Sequence, residues 1–263
     1  MHPRCRCAII YDEVAEPRAN KPRKVRQFND VGEANEYFGK TARDKTKPYG
    51  QWRKAIENTE KNAVVKYTSN YYTEMNGWLR GLKADTAFTP EELSRLRKYI
   101  VDCETALEKS VLPDDILVHR KAGFEMLQLY KDAPNGIFLD EGFTSTSPVK
   151  NSFPGDIDIE IIVPAGRGVG MWVAPISAYK NENEFLINRG AKFKVLEINE
   201  NGNRPLVKLE VAGREAREVK KMQKSQLRNT HHADKFTWCP TDVKVQDENG
   251  NWISYNDFKK LSN

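Results

Sequence analysis

The sequence predicts an α+β fold in which helices come first along the chain and strands follow. Up to residue 110, apolar side chains recur every three or four residues, which is typical of amphipathic helices. After Pro113 the apolar period changes to two, which is typical of strands with one buried face. Helices that precede the strands, rather than alternate with them, indicate an α+β fold.

Helical patterns predict four elements in the first part of the chain. In the clearest of them, Thr89 is a helix N-cap, Pro90 suits the first turn, and Glu92 completes a capping box. Apolar side chains then recur at helical spacing, so we expect a helix over residues 90 to 109. The other predicted helices cover residues 32 to 38, 49 to 58 and 70 to 82.

Alternating patterns predict six strands after Pro113. They cover residues 116 to 122, 142 to 147, 157 to 163, 184 to 188, 192 to 198 and 205 to 211. Beyond the last strand, residues 214 to 229 are predicted as an exposed basic helix. Residues 243 to 255 are predicted as a hairpin that turns at Asn249 and Gly250.

Composition excludes several classes of protein. The 263 residues suffice for one mid-sized domain with extensions, and the small net charge of +5 is spread among acids, which argues against nucleic-acid binding. The sequence has no run of about 18 apolar residues and no apolar signal core, so we expect neither a membrane span nor classical secretion. Four unevenly spread cysteines indicate a reducing compartment rather than a disulfide framework.

Two glutamates two residues apart form the first candidate for a catalytic site. Glu182 and Glu184 stand at the mouth of the strand predicted over residues 184 to 188, where extended geometry would point both carboxylates to one face. Adjacent like charges cost free energy, so such a pair suggests a purpose. For an isolated pair the alternative is a solvated strand end.

Two other predicted strands carry polar side chains where apolar ones are expected. In FTSTS, Ser145 and Ser147 share one face and Thr146 lies on the other, so this strand exchanges apolar area for hydrogen-bonding capacity. Arg120 falls on the apolar face of its strand, which implies an inward guanidinium. A buried arginine normally has an anionic partner, and a substrate phosphate would serve.

The order of these features resembles the arginine, serine, glutamate class of mono-ADP-ribosyltransferases: an arginine comes first, then a Ser-Thr-Ser strand, then paired glutamates. The chain resembles its exoenzyme branch, which includes the clostridial binary actin-modifying toxins, the insecticidal vegetative toxins and the Rho-modifying exoenzymes. The likeness runs from about residue 49 to residue 198 and includes the helix YTSNYYTEMNGWLRG at 67 to 81. It implies N-terminal helices packed on two mainly antiparallel sheets, which form a β-sandwich core with a cleft for NAD.

The resemblance implies a role for each matched residue, with NAD as a substrate and no metal. Arg120 would hold the NAD phosphates and ribose, and the backbone of Lys121 would meet the nicotinamide amide. Ser145 would orient Glu184, which would stabilise positive charge as the glycosidic bond breaks. Glu182 would orient and deprotonate the accepting nucleophile.

The acceptor implied by the resemblance is an arginine of a host protein. In this family, glutamate at the position of Glu182 is typical of enzymes that modify arginine. Tyr179, three residues earlier, matches the aromatic residue of the family's acceptor-recognition turn.

Further positions match residues that contact NAD in the family. Tyr72 and Asn76, one helical turn apart, match the tyrosine and asparagine that flank NAD, and Phe153 matches an aromatic that covers the nicotinamide. A core position is the alternative for Tyr72 and for Phe153. The chain departs from the family at Gly142, where relatives often carry asparagine, and at Glu125, where some have glutamine.

The first residues, HPRCRC at 2 to 7, carry a second resemblance. They are similar to the His-Pro-x-Cys-Arg-Cys signature of Mu F-like minor head proteins of tailed phages. This implies a phage-encoded chain, with capsid or head proteins as further partners, in the virion or the host cytoplasm. The alternative is a partial metal site formed by His2, Cys5 and Cys7 with Cys239, His231 or His232.

These patterns divide the chain into three parts and leave three functions open. Residues 1–27 are predicted as a tail with the HPRCRC motif and a basic linker, residues 28–212 as an ADP-ribosyltransferase domain, and residues 213–263 as a C-terminal helix and hairpin extension. The preferred function is an arginine ADP-ribosyltransferase. The alternatives are an NAD glycohydrolase and a structural segment of a phage head protein that keeps the fold but has lost the activity.

Overall fold

The helices of the N-terminal half come first in the fold, as the sequence predicts. The computed structural model describes residues 24–150 and 154–216, together with residue 219 and the backbone of residues 244–246 and 252–254. None of the helices in these ranges is long and apolar enough to cross a membrane. The helices are α1 (Val31–Phe38), α2 (Pro48–Ala55), α3 (Asn58–Lys66), α4 (Tyr72–Leu79), α5 (Pro90–Glu108) and α6 (Glu125–Lys131).

Helix α5 begins where its capping residues predict. The Thr89 side chain accepts from the backbone N–H of Glu92, and the Glu92 carboxylate accepts from the backbone N–H of Thr89. These two bonds satisfy N–H groups that the first turn of a helix leaves without partners. Leu96, Ile100 and Cys103 lie on the buried face, so the apolar spacing is confirmed as well.

The structure corrects the predicted helix over residues 49 to 58. Helix α2 ends at Ala55, and Ile56 has an extended backbone with a ψ of 146°. Helix α3 then begins with Glu57 as its N-cap, in a capping box with Glu60. The break at Ile56 and Glu57 contains neither proline nor glycine, so the sequence gives no signal that the helix ends there.

The predicted helix over residues 70 to 82 is shorter in the structure, where helix α4 covers Tyr72–Leu79. Residues Tyr67–Tyr71 form a π-helical turn, and Ser69 inside it has an extended ψ of −162°. Helix α4 starts only after this π-turn, which therefore separates it from α3. Wide turns of this kind often mark functional sites.

The strands form two main sheets and one small pair. They are β1 (Val111–Leu112), β2 (Ile116–Ala122), β3 (Ile137–Asp140), β4 (Thr144–Thr146), β5 (Ile157–Val163), β6 (Gly166–Arg167), β7 (Gly170–Trp172), β8 (Phe185–Ile187), β9 (Ala191–Asn199) and β10 (Leu206–Arg214). The larger sheet has the order β2-β5-β10-β9-β3, and the smaller one has the order β4-β8-β7. Only β5 and β10 pair in parallel within these sheets, so the mainly antiparallel arrangement is confirmed.

Both sheets contribute to one hydrophobic core. On β5 the alternation is strict: Ile157, Ile159 and Ile161 are buried, and the residues between them are partly exposed. The helices cover this core, and the indole N–H of Trp52 on α2 donates to the Ala106 carbonyl on α5 at 2.6 Å. The backbones of His119 and Ser147 exchange two hydrogen bonds, which join the edges of the two sheets.

Several elements differ from the sequence predictions. Helix α3, helix α6 and strand β3 are not predicted by the apolar spacing, and Arg214 ends strand β10 rather than starting a helix. Most of the helix predicted over residues 214 to 229 lies outside the described residues. Two short antiparallel strands, β11 (Lys244–Gln246) and β12 (Trp252–Ser254), agree with the predicted hairpin, whose turn lies outside the described residues.

The α5 cap provides a first test of the fold. We expect Thr89→Ala to lower the free energy of unfolding by about 1 kcal/mol, because the helix loses a side-chain cap. Chemical denaturation measures this difference. Ser94→Ala, at an exposed position in the same helix, is the control and should change stability by less than about 0.5 kcal/mol. Equal stabilities of the two variants would contradict the prediction.

Candidate active site

A cleft of about 320 Å³ opens between helix α4, strand β2 and the smaller sheet. Phe153 lies outside the described residues, beside Pro154, which does line the cleft. All the other site residues predicted from the sequence line this one cavity: Tyr72, Asn76, Arg120, Lys121, Ser145, Tyr179, Glu182 and Glu184. The fold therefore brings together side chains from four separate segments.

Glu184 is the most deeply buried acid of the cleft, with only 3% of its surface exposed. The pKa of this carboxyl is raised to about 7, mainly by burial and also by the neighbouring charge of Glu182. A hydrogen bond from Ser145 and the charge of Arg120 lower the pKa and so oppose these effects. Near neutral pH, the carboxyl is therefore poised between its acidic and its charged form.

Glu182 reaches the same cleft by a different backbone path from the one predicted. Residues Lys180–Glu182 form a 3-10 turn, and Asn183 is left-handed with a φ of 49°, so the two glutamates do not lie on one extended strand. Strand β8 begins only at Phe185. Both carboxylates still line the cleft, because the turn at Asn183 redirects the chain between them. Partial burial raises the pKa of Glu182 as well.

Arg120 points inward, as its place on β2 predicts. Its Nη1 donates to the backbone carbonyl of Ser145 at 2.6 Å, which ties the arginine strand to the serine strand β4. The Ser145 hydroxyl in turn lies 3.1 Å from the phenol oxygen of Tyr67. Burial lowers the pKa of Arg120 below that of a free guanidinium. The site therefore holds a partly buried cation beside a buried acid.

Asn76 anchors the chain that leads into β4. Its Nδ2 donates to the Phe143 carbonyl at 3.1 Å, and its Oδ1 accepts from the Phe143 N–H at 2.9 Å. The same Nδ2 also donates to the phenol oxygen of Tyr67 at 3.0 Å. Each of these bonds is with the protein, so Asn76 holds the wall of the cleft in place.

A buried ion pair supports the same segment. The Arg80 guanidinium binds the Asp140 carboxylate through two hydrogen bonds of 2.8 Å, and it also donates to the Phe143 carbonyl at 3.1 Å. Asp140 accepts two further bonds, from the Gly142 N–H and from the Thr144 hydroxyl. Because every bond here is charge-assisted or buried, the geometry of β4 is strongly determined. We call this group the Arg80–Asp140 clamp.

A second cavity of about 360 Å³ lies beside the first and shares Arg120 and Lys121 with it. Its acids face cations: Asp158 is near Lys121 at 3.9 Å, and Glu160 pairs with Lys150 at 3.1 Å. Neither glutamate of the acid pair lines this cavity. The acid pair and Arg120 meet only in the first cleft, so we place the chemistry there.

Comparison with known proteins identifies the family. The sequence model of the family described as ADP-ribosyltransferase exoenzyme matches residues 44–224. The chain belongs to the ADP-ribosyltransferase exoenzyme family. The match includes both sheets as far as the end of β10, together with every described residue of the cleft named above.

Individual relatives of the chain agree with the family match. The NAD(+)--arginine ADP-ribosyltransferase EFV of Enterococcus faecalis is 28% identical over 223 residues, which cover 73% of the chain and 44% of that relative. The chain thus spans less than half of this relative's length. The toxin Plx2a of Paenibacillus larvae is 24% identical with a TM-score of 0.54, over 70% of the chain and 96% of Plx2a. The C3 exoenzyme of Clostridium limosum is 20% identical with a TM-score of 0.59, over 72% and 98% respectively. These structures show the same α+β fold.

Sequence reasoning missed three residues that organise the site. Tyr67 contacts Ser145 and Asn76, and Arg80 and Asp140 form the clamp. Tyr67 opens the helix motif quoted above, so its position alone could have suggested it. Arg80 and Asp140 are 60 residues apart and carry no periodic signal that would pair them.

The metal site considered from the sequence cannot be located. Its proposed ligands at the N-terminus and around residues 231 to 239 lie outside the described residues. Among the residues that are described, no three histidine, cysteine or acidic side chains stand close enough to hold a metal ion.

The raised pKa of Glu184 predicts how the activity depends on pH. Only the carboxylate can stabilise a cationic sugar, so we expect kcat/KM for NAD cleavage to rise with pH with a midpoint near 7. Steady-state rates measured across this range test the expectation. Ser145→Ala should shift the midpoint upward, because a hydrogen bond that favours the carboxylate is lost. A flat profile through neutral pH would count against a catalytic role of this acid.

Proposed function

We propose that this chain is a mono-ADP-ribosyltransferase that moves ADP-ribose from NAD to the arginine of a protein and releases nicotinamide. The observation that carries the proposal is the convergence of the acid pair, the partly buried Arg120 and the helix residues on one cleft. Family membership and the name of the Enterococcus relative, which includes both NAD and arginine, support it.

The proposed reaction assigns one task to each charged group. Arg120 binds the anionic part of NAD, for which a planar guanidinium is well suited. The bond between the ribose and nicotinamide breaks, and its electron pair leaves with nicotinamide. Glu184, as the carboxylate, stabilises the positive charge that develops on the ribose. The arginine nitrogen of the acceptor then bonds to the same carbon, and Glu182 accepts the proton that this nitrogen loses.

The choice of arginine as acceptor rests on Glu182 and on its position. A half-buried carboxylate at the mouth of the cleft can pair with a guanidinium and can also take its proton. Tyr179, 48% exposed on the same turn, offers an aromatic face on which a guanidinium can stack.

The test uses labelled NAD with two acceptors, agmatine as a soluble guanidine and a bacterial lysate as a source of proteins. We expect label on agmatine and on lysate proteins, and mass spectrometry should map the added ADP-ribose to arginine. Label on another residue type would overturn the choice of acceptor. Saturable thermal stabilisation by NAD should accompany activity, whereas a phage head segment with a retired site would show none.

We further propose a phage origin, with action in the virion or in the host cytoplasm. The HPRCRC motif supports this part of the proposal, and it lies outside the described residues. Proteomics of purified virions tests it: peptides of this chain should be found with those of the capsid. Their absence from virions would leave the host cytoplasm as the proposed place of action.

A further inference from the structure

The π-turn at Tyr67–Tyr71 faces the turn that carries Tyr179 and Glu182. We call residues 177 to 182 the acceptor turn. It connects to strand β8, whereas the π-turn leads into helix α4, which carries Tyr72 and Asn76. The two turns are about 110 residues apart in sequence and belong to opposite walls of the cleft.

Thr68 forms the first link between these walls. Its side chain is buried, with 5% of its surface exposed. The hydroxyl donates to the Val65 carbonyl at 3.1 Å and accepts from the backbone N–H of Ala178 at 3.0 Å. The hydroxyl therefore uses its donor hydrogen for the preceding helix and one acceptor lone pair for the acceptor turn.

Asn70 forms the second link. Its Oδ1 accepts a hydrogen bond from the phenol of Tyr179 at 3.2 Å. The Tyr179 ring is half exposed, and its backbone N–H donates to the Ser177 hydroxyl at 3.1 Å. A half-exposed ring without such a bond could occupy several rotamers, so Asn70 selects one of them.

The interruption of the helix makes both links available. Ser69, between the two linking residues, has the extended ψ that breaks the helix. In a continuous α-helix, residues two apart do not face the same side. With the break, Thr68 and Asn70 both reach the acceptor turn.

We propose that Thr68 and Asn70 are positioning residues that hold the acceptor turn against the wall that binds NAD. This inference rests on the proposed transferase function and deepens it. The two links set how often the ribose cation, once formed, meets a guanidinium instead of water. They therefore control the ratio of ADP-ribose transferred to NAD cleaved, and they act on the acceptor through Tyr179 and Glu182.

The main experiment measures that ratio with purified full-length protein, labelled NAD and agmatine. Thr68→Val keeps the side-chain shape and removes both hydrogen bonds of the hydroxyl. We expect the transfer-to-cleavage ratio to fall roughly three- to tenfold, which corresponds to the loss of one or two neutral hydrogen bonds. Thr68→Ser keeps the hydroxyl and should restore the ratio. Thr59→Val is the control, because Thr59 is an exposed threonine of helix α3 away from both linking residues.

A second experiment tests the Asn70 link with a double-mutant cycle. Asn70→Ala and Tyr179→Phe each remove one partner of the same hydrogen bond, so the double variant should be no worse than the poorer single variant. Additive losses would show that the two residues act independently and would overturn this link.

The outcomes separate this inference from the proposed function. If the wild type labels agmatine and Thr68→Val has the wild-type ratio, the inference fails and the transferase assignment stands. A parallel loss of cleavage and transfer in Thr68→Val would indicate general damage and would also overturn the inference. If the wild type cleaves NAD and labels no agmatine, the acceptor proposal and this inference both fail.

Discussion

Glu184→Gln is expected to lose NAD cleavage by roughly 100- to 1,000-fold, because the developing positive charge loses its buried counter-charge. Glutamine has nearly the same shape as glutamate and can still hydrogen-bond to Ser145, so the cleft should keep its form. The affinity for NAD should change much less than the rate, since the charge on the ribose exists only in the transition state. Transfer to any acceptor should fall by the same factor as cleavage.

Release of nicotinamide in single-turnover experiments measures this effect directly. Glu197→Gln is the matched control, because Glu197 lies outside the cleft on β9, where it pairs with Lys208 at 2.8 Å. The control should cleave NAD at the wild-type rate. If Glu184→Gln did the same, the assignment of the reaction to this cleft would be wrong.

Glu182→Gln is expected to lose transfer to agmatine by roughly 100-fold and to keep most of its NAD cleavage. Loss of nicotinamide requires no base, whereas a protonated guanidinium cannot attack until it gives up a proton. The neighbouring charge of Glu182 also raises the pKa of Glu184, so its removal should move the pH midpoint of NAD cleavage downward.

Parallel assays of nicotinamide release and agmatine labelling measure the two steps. Glu197→Gln again serves as the control and should leave both unchanged. Equal losses of cleavage and transfer in Glu182→Gln would contradict a separate base for the acceptor. If the wild type and the variant both cleave NAD and neither labels agmatine, the chain is an NAD glycohydrolase.

The sequence predicted those elements that depend on interactions between residues close together in the chain. The start of α5 depends on Thr89, Pro90 and Glu92, which are adjacent in sequence, and the structure has the helix within one residue of the predicted bounds. Strand β5 was predicted to the residue, because alternation alone decides which face of a strand is buried. Helix α6 and strand β3 are short, and tertiary packing rather than a long periodic pattern defines them.

The site was predictable in its residue types and less so in its geometry. A polar strand and paired acids stand out against an apolar pattern, so Arg120, Ser145 and Glu184 could be found from the sequence. The left-handed turn at Asn183 could not be predicted from the sequence, because asparagine adopts that conformation in only some contexts. The Arg80–Asp140 clamp depends on two residues that only the folded chain brings together.

This clamp has a consequence for how the sequence can vary. A β-carbon at Gly142 would lie 2.8 Å from both the Cζ of Arg80 and the Oδ1 of Asn76, closer than van der Waals contact allows. Any larger side chain at this position would therefore require the Arg80 guanidinium or the Asn76 amide to move out of its present place. We therefore expect positions 80, 140 and 142 to change together during evolution. A design that transfers strand β4 to another scaffold would have to include residues 80, 140 and 142 as well.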